Sequence, residues 1–95
     1  MSVQVLVEFQ TDRGDDVKKF LRDVLPDTRG FEGFETLSLV QSDDDPTSFL
    51  FVEQWATRAS YEAYLAWRTE TGVLNELVSM AKGAPSIRVF NFVGV

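Results

Sequence analysis

Residues 48–65 read SFLFVEQWATRASYEAYL. This segment is the most informative for the fold because it predicts a strand followed directly by a helix. The first eight, residues 48–55, are almost wholly apolar at their start, which indicates a strand buried on both faces. Thr57 is a good N-cap for a helix that begins directly after it. One face of that helix carries Tyr61, Tyr64, Leu65 and Arg68.

Three other segments have the pattern of strands. Residues 3–10, VQVLVEFQ, alternate so that the valines and Phe9 point one way and the other side chains point the opposite way. Residues 34–41, FETLSLVQ, form a second strand, and the Asp- and Pro-containing segment 42–46 joins it to the third as a hairpin. Residues 86–93, SIRVFNFV, form the last strand.

Two helical regions complete the chain. Between the first two strands, apolar residues recur at helical spacing over residues 17–25, and this helix should end or distort near Pro26, which has no amide hydrogen to donate. In the second region, Thr71-Gly72 interrupts the apolar stripe. We therefore predict a kinked or split helical segment with pieces at 58–69 and 71–82.

The order strand, helix, strand, strand, helix, strand predicts the α+β, ferredoxin-like β-α-β-β-α-β fold over a single domain, residues 1–95. Such a domain has a four-stranded antiparallel sheet with its helices on one face, so the other face must meet water or a partner. That face is too apolar to sit comfortably in water, which predicts a homodimer with its two sheets face to face. Its candidate residues are Leu6, Leu50, Val52, Gln54, Phe90 and Phe92.

Composition excludes several kinds of chemistry. The 95 residues include no cysteine and no histidine. A chain without cysteine has no disulfide, thiolate nucleophile or iron–sulfur cluster, and one without histidine lacks the commonest general base and metal ligand. The three aspartates at 43–45 lack the glycine and distal glutamate of a calcium loop, so we predict no metal site.

Charge and hydropathy exclude other partners. The chain has 9 basic and 15 acidic residues, a net charge of −6, so we expect no binding to nucleic acid, which needs clustered positive charge. No apolar run approaches the roughly 20 residues of a membrane span. The N-terminus also lacks the basic start of a signal peptide, and we therefore expect a cytoplasmic protein.

Four features, taken in order, resemble the antibiotic biosynthesis monooxygenase family of dimeric α/β barrels. They are TRGFEGFE at 28–35, Pro46 in the hairpin, the E-x-W of Glu53 to Trp55, and TRASYEAYL at 57–65. The resemblance implies two ferredoxin-like protomers that form a barrel, each with a pocket between helices and sheet. Some members of the family oxidise polycyclic phenols or quinols with dioxygen and no cofactor. Others degrade haem, isomerise small metabolites or have no known activity.

The chain departs from the family pattern at informative positions. Many members carry a histidine on the second helix where this chain has Tyr64. Haem-degrading members also use an asparagine on the first strand, which is absent here, so haem is not expected. Some cofactor-free oxygenases place an asparagine four residues before the tryptophan, where this chain has Phe51.

Trp55, Tyr64 and Arg88 are the candidate catalytic residues. Trp55 resembles the family's pocket tryptophan, but it could instead be a large core residue that packs the sheet against the helix. The phenol of Tyr64 is a poor base at neutral pH but a usable hydrogen-bond donor, and it could instead be a half-buried packing residue. Arg88 could stabilise an oxyanion, or pair with Glu35 or Glu8 across the sheet.

Other residues are candidates for the wall of a substrate pocket. Glu53 could act as an acid or base if burial raised its pKa, or it could form an ion pair. Tyr61 and Trp67 could form an aromatic wall with Tyr64, or a subunit contact. The predicted wall comprises Phe9, Phe51, Glu53, Tyr61, Leu65, Trp67, Leu74 and Asn91.

Two functions remain open from the sequence. The first is a cofactor-independent monooxygenase that acts on a small aromatic, phenolic or quinol substrate. The second is a non-catalytic dimeric module that binds a small ligand, which the absence of an obvious proton acceptor favours. An empty helix–sheet cavity of a few hundred cubic ångströms that touches Trp55 and Tyr64, on the scale of roughly 300–1,000 Å³ for ligand pockets, would favour the first. A pocket plugged by Phe51, Trp55 and Trp67 would favour the second.

Overall fold

Residues 2–95 fold into one four-stranded sheet and three helices. The structure, a computed structural model, describes residues 2–95. Its elements, in chain order, are β1 (Val3–Gln10), α1 (Gly14–Arg29), β2 (Phe34–Gln41), β3 (Ser48–Trp55), α2 (Arg58–Glu70), α3 (Val73–Met80) and β4 (Ser86–Asn91). The predicted ferredoxin-like arrangement is confirmed, with the second helical region divided in two.

The sheet is antiparallel throughout, in the order β2-β3-β1-β4. On the central pair, Val7 lies opposite Phe51 and Val3 opposite Trp55. These odd-numbered residues face the helices, and their buried positions alternate with less buried ones along both strands, as period-two geometry requires. The buried side therefore forms one core of strand and helix side chains: Val3, Val5, Val7, Phe9, Val17, Leu21, Phe49, Phe51, Trp55, Tyr61, Leu77 and Met80.

Helix α1 continues through Pro26 to Arg29, so the predicted end or distortion near Pro26 is wrong. Proline removes one helical hydrogen bond, but contacts from α2 hold the last turn in place. Arg68 donates Nη2–H to the Val24 carbonyl at 2.7 Å and to Thr28 Oγ1 at 2.8 Å. These contacts offset the lost bond because they satisfy polar groups that the fold has buried.

The predicted split of the second helical region is confirmed at Gly72. Its φ of +84° is a left-handed conformation that favours glycine, and it serves as the N-cap of α3. The predicted cap of α2 is also present, because Thr57 Oγ1 accepts a hydrogen bond from the Ser60 amide at 3.0 Å. Helix α3 begins two residues later and ends two residues earlier than predicted, at Val73 and Met80.

The outer face of the sheet, away from the helices, is partly apolar. Leu6, Leu50 and Val52 are only half-buried there. Within a single chain, β3 is therefore fully buried on one face, which corrects the prediction that it is buried on both. Phe90 shares this face and is 43% exposed. Strand β4 ends at Asn91, two residues before the predicted end, so Phe92 follows the strand. No helix within residues 2–95 is long and apolar enough to cross a membrane.

Candidate functional site

A small cavity lies between the three helices and the sheet. Its volume is about 70 Å³, well below the few hundred that would favour the enzyme, and neither Trp55 nor Trp67 lines it. Four lining side chains carry polar groups, namely Glu53, Tyr61, Tyr64 and Arg68. All the others are apolar: Val7, Phe20, Leu21, Val24, Leu25, Leu37, Phe51, Leu65, Val73, Leu74, Leu77 and Ile87. The cavity is thus an apolar space with one carboxyl and one guanidinium in its wall.

Glu53 is the carboxyl of this cavity and is 5% exposed. Strand β3 directs it inward because it lies two residues from both Phe51 and Trp55. Burial raises its pKa from 4.5 to about 7, although the hydrogen bond from Trp55 opposes the shift. It makes no ion pair within residues 2–95. A carboxyl with this pKa can hold or accept a proton near neutral pH.

Trp55 lies behind Glu53 and does not line the cavity. Its side chain is fully buried, and its indole Nε1–H donates to Glu53 Oε1 at 2.9 Å. Its ring contacts those of Phe34, Tyr61 and Tyr64, with centroids 5.5, 5.8 and 4.8 Å away. Trp55 is therefore both a core anchor and the residue that positions the Glu53 carboxyl.

Arg68 is the guanidinium of the cavity and is 5% exposed. Its Nε–H donates to Tyr64 Oη at 3.0 Å, and its Nη2 hydrogens go to Thr28 Oγ1 and the Val24 carbonyl. No carboxylate of residues 2–95 pairs with it, since the ion pairs there are the exposed Arg13–Asp16, Arg58–Glu62 and Lys82–Asp12. A buried positive charge without a counter-ion is costly, so Arg68 is a candidate functional residue.

Trp67 packs on Arg68 and does not line the cavity. The Arg68 guanidinium lies 4.5 Å from the centre of the Trp67 ring and 5.3 Å from that of Tyr64. Phe31 stacks on Trp67, with ring centroids 5.4 Å apart. These cation–π and stacking contacts fix the plane of the guanidinium, so Trp67 positions Arg68.

Both tyrosines of α2 line the cavity, but their hydroxyl groups differ. Tyr64 Oη accepts from Arg68 and lies 2.7 Å from Thr28 Oγ1, so both neighbours already engage it. The sequence suggested that the Tyr64 hydroxyl could donate a hydrogen bond to a substrate. In the structure this hydroxyl is already hydrogen-bonded within the chain. Burial raises the pKa of Tyr61, and the nearby Glu53 charge raises it further, which keeps this phenol protonated.

The other predicted residues lie elsewhere. Phe9 is buried in the core, where it stacks on Phe49 with centroids 5.6 Å apart. Arg88 lies opposite Leu6 in the register, which puts it on the outer face of the sheet and away from the cavity. Asn91 is exposed at the end of β4. The cavity therefore brings together six of the predicted residues: Phe51, Glu53, Tyr61, Tyr64, Leu65 and Leu74.

Sequence reasoning missed Arg68 as a site residue. The available signal was its position four residues after Tyr64, which puts both on one helix face among apolar residues. An arginine on the buried face of a helix needs hydrogen-bonding partners, because arginine is rarely buried without them. Its partners Thr28 and Val24 lie 40 and 44 residues away in the chain, so no local pattern indicates them.

Comparison with known proteins agrees with this architecture. A family model described as "antibiotic biosynthesis monooxygenase" matches residues 1–69. No curated protein matches the chain.

Solved structures share the fold at low identity. A conserved protein from Methanosarcina mazei is 13% identical with a TM-score of 0.86, over 95% of this chain and 91% of that one. SnoaB, a cofactor-independent oxygenase from Streptomyces nogalater, is 13% identical with a TM-score of 0.85, over 99% and 95%. A structure described as an antibiotic biosynthesis monooxygenase is 19% identical with a TM-score of 0.82, over 96% and 98%. At these identities the likeness concerns the fold.

Proposed function

Because this chain belongs to the antibiotic biosynthesis monooxygenase family, we propose that it is a cofactor-independent monooxygenase acting on a small phenolic or quinol substrate. The observation that carries the proposal is Glu53, a buried carboxyl with a pKa of about 7 in the wall of an otherwise apolar cavity. A chain without histidine still has a general base if one carboxyl has its pKa near the working pH. Two structural neighbours, one described as an antibiotic biosynthesis monooxygenase and one as a cofactor-independent oxygenase, support the same reaction class.

Glu53 is the base and later the acid in this reaction. Its Oε1 accepts the Trp55 N–H, which leaves Oε2 as the oxygen for the substrate proton. Ionised Glu53 removes a proton from an activated ring carbon, and the resulting carbanion, delocalised onto the ring oxygen, gives electrons to dioxygen. The peroxide that forms takes the proton back from Glu53 and loses water. Overall, the ring CH₂ in the keto tautomer of the phenol and O₂ become a ring C=O and H₂O, with four electrons moving from substrate to oxygen.

Apolar walls assist the reaction because they exclude water from the charged intermediates. At about 70 Å³ the cavity holds roughly two waters, so a ring must displace side chains to enter. Phe20, Leu65 and Leu74 are half-buried and come from three different helices. We propose that the substrate enters between these helices by moving those side chains.

We also propose that the working unit is a homodimer formed through the outer face of the sheet. Leu6, Leu50, Val52, Val40 and Phe90 give this face its apolar character. Pairing with a second copy would remove that surface from water, which is the favourable term in most association.

A non-catalytic module that binds a small ligand is the second candidate. The small volume of the cavity favours it, since a polycyclic ring does not fit without rearrangement. Oxygen uptake separates the two functions. A panel of quinols and polycyclic phenols is supplied with ¹⁸O₂ and no added cofactor. The oxygenase predicts uptake with one ¹⁸O atom in the product carbonyl. Ligand binding without uptake across the panel would establish the module instead.

A further inference from the structure

We propose that Arg68 is the recognition residue for the negatively charged oxygen of the ligand, so that the cavity takes small phenols or enols in their ionised form. The inference rests on the proposed function, because it names the form in which that substrate is held. It concerns a residue of α2, whereas the proposed proton transfer concerns Glu53 on β3.

The hydrogen bonds of Arg68 leave one nitrogen for a ligand. A guanidinium carries five N–H hydrogens. One on Nε goes to Tyr64, and two on Nη2 go to Val24 and Thr28. The two on Nη1 have no hydrogen-bond partner within residues 2–95. No side-chain polar atom there is both sealed from solvent and unpaired, so Nη1 keeps some exposure, and Arg68 itself lines the cavity.

The guanidinium is held rigidly with its charge uncompensated. Ring contacts with Trp67 and Tyr64, together with the three hydrogen bonds, determine both its plane and its position. The guanidinium therefore presents its positive charge in the apolar wall. A ligand oxyanion would supply the missing counter-charge and a charge-assisted hydrogen bond.

The remaining groups of the cavity fit an anion that forms in place. Among residues 2–95, Glu53 is the only acidic side chain in its wall, and the lining residues from α1, α3, β1, β2 and β4 are apolar. When Glu53 takes the ligand proton it becomes neutral, so the new anion faces Arg68 without a competing carboxylate. The proton moves within the cavity, and the net charge there does not change.

An anaerobic titration with 4-nitrophenol tests this inference, because the ionised probe is yellow and the neutral probe is not. Nitrobenzene serves as the neutral probe of similar shape, with binding read from the quenching of tryptophan fluorescence. At a pH where most free 4-nitrophenol is neutral, we expect the wild-type protein to bind it as the yellow anion, at least ten-fold more tightly than nitrobenzene. Binding of the neutral form, equal affinity for both probes, or no binding at millimolar concentration would overturn the inference.

Two variants assign the effect to the residue. Arg68→Met should bind the two probes within about two-fold of each other, and Arg58→Met, on the exposed part of the same helix, should behave as wild type. If Arg68→Met keeps the ten-fold preference, the inference is wrong. Arg68 also holds α1 to α2, so circular dichroism accompanies each titration. If Arg68→Met unfolds, the wild-type spectrum still shows whether the bound probe is the anion. Arg68→Lys should then retain part of the preference for 4-nitrophenol over nitrobenzene.

The test is independent of oxygen. Normal binding of the anion without oxygen uptake from any substrate would refute the monooxygenase and leave this inference standing. Oxygen uptake by a protein that binds only neutral 4-nitrophenol would support the monooxygenase and refute the role of Arg68.

Discussion

The indole N–H of Trp55 donates to the Glu53 carboxyl at 2.9 Å, and the two residues alternate with Gln54 along the same strand. Both face the helices, and both are at least 95% buried. The hydrogen bond fixes one carboxyl oxygen while burial raises the pKa of the group to about 7. A strand pattern as simple as E-x-W thus produces an oriented acid–base group.

The pKa of Glu53 predicts a stability change with pH. Between pH 4.5 and 7 the folded chain holds a proton that the unfolded chain releases, so the free energy of unfolding falls as pH rises. The loss is on the order of 3 kcal/mol and is absent from Glu53→Gln. Urea unfolding of both proteins from pH 4 to 8 should therefore show the variant gaining relative to wild type. A difference that does not change with pH would contradict the raised pKa.

The hydroxyl of Tyr64 should matter for stability. Tyr64→Phe removes the acceptor of Arg68 Nε–H and the partner of Thr28 Oγ1. Thr28 Oγ1 keeps its bond from Arg68 Nη2, but the Arg68 Nε–H is left unpaired, which costs about 1–3 kcal/mol. Tyr61→Phe is the matched control, because no side-chain hydrogen bond of Tyr61 is present within residues 2–95. It should lower the free energy of unfolding by well under the roughly 1 kcal/mol of a typical net hydrogen bond. Equal losses in urea unfolding would argue against the network.

Gly33 should resist substitution more than Gly72. Both have positive φ, +88° and +84°, but a Cβ at Gly33 would overlap the Ser60 side chain, whereas Gly72 faces open space. Gly72→Ala should cost about 1 kcal/mol from backbone strain alone, and Gly33→Ala about 2–3 kcal/mol from strain and overlap together. Thermal or urea unfolding of the two variants measures this difference. A smaller loss for Gly33→Ala would contradict the packing.

The outer face of the sheet should hold two copies together. Light scattering on the wild-type protein should give twice the chain mass of 10.7 kDa at micromolar concentration. Val52→Glu puts a charge at the centre of that face and should yield a folded monomer. Val78→Glu, on the exposed side of α3, should remain dimeric. A wild-type monomer would refute the proposed interface.

The fold could be predicted from the sequence because its signals are local. Alternation over residues 3–10 and the Thr57 cap each act within a few residues, and both are present in the structure. The rule for Pro26 failed because Arg68, distant in sequence, stabilises the last turn of α1. Local rules do not include such contacts.

The site was only partly predictable for the same reason. Period two places Arg88 and Asn91 on opposite faces of β4, but only the register with Leu6 shows that Arg88 points away from the helices. Tyr61, Tyr64 and Trp67 lie on one helix, yet only packing shows that Trp67 covers Arg68 instead of the cavity. Side-chain identity indicated the chemistry, and long-range geometry assigned the roles.

The most direct test of the proposed function is the pH profile of oxygen uptake. It requires a quinol found active in the panel, whose own hydroxyl titrates well above pH 8. We predict that kcat/KM rises with pH and levels off above about 7, because Glu53 must be ionised to act as the base. Glu53→Gln should lose at least 100-fold, in the range of about 10²–10⁴ for a general base, while Glu70→Gln, exposed at the end of α2, should match wild type. If Glu53→Gln retains wild-type uptake and the same profile, Glu53 is not the base and the proposed mechanism is wrong.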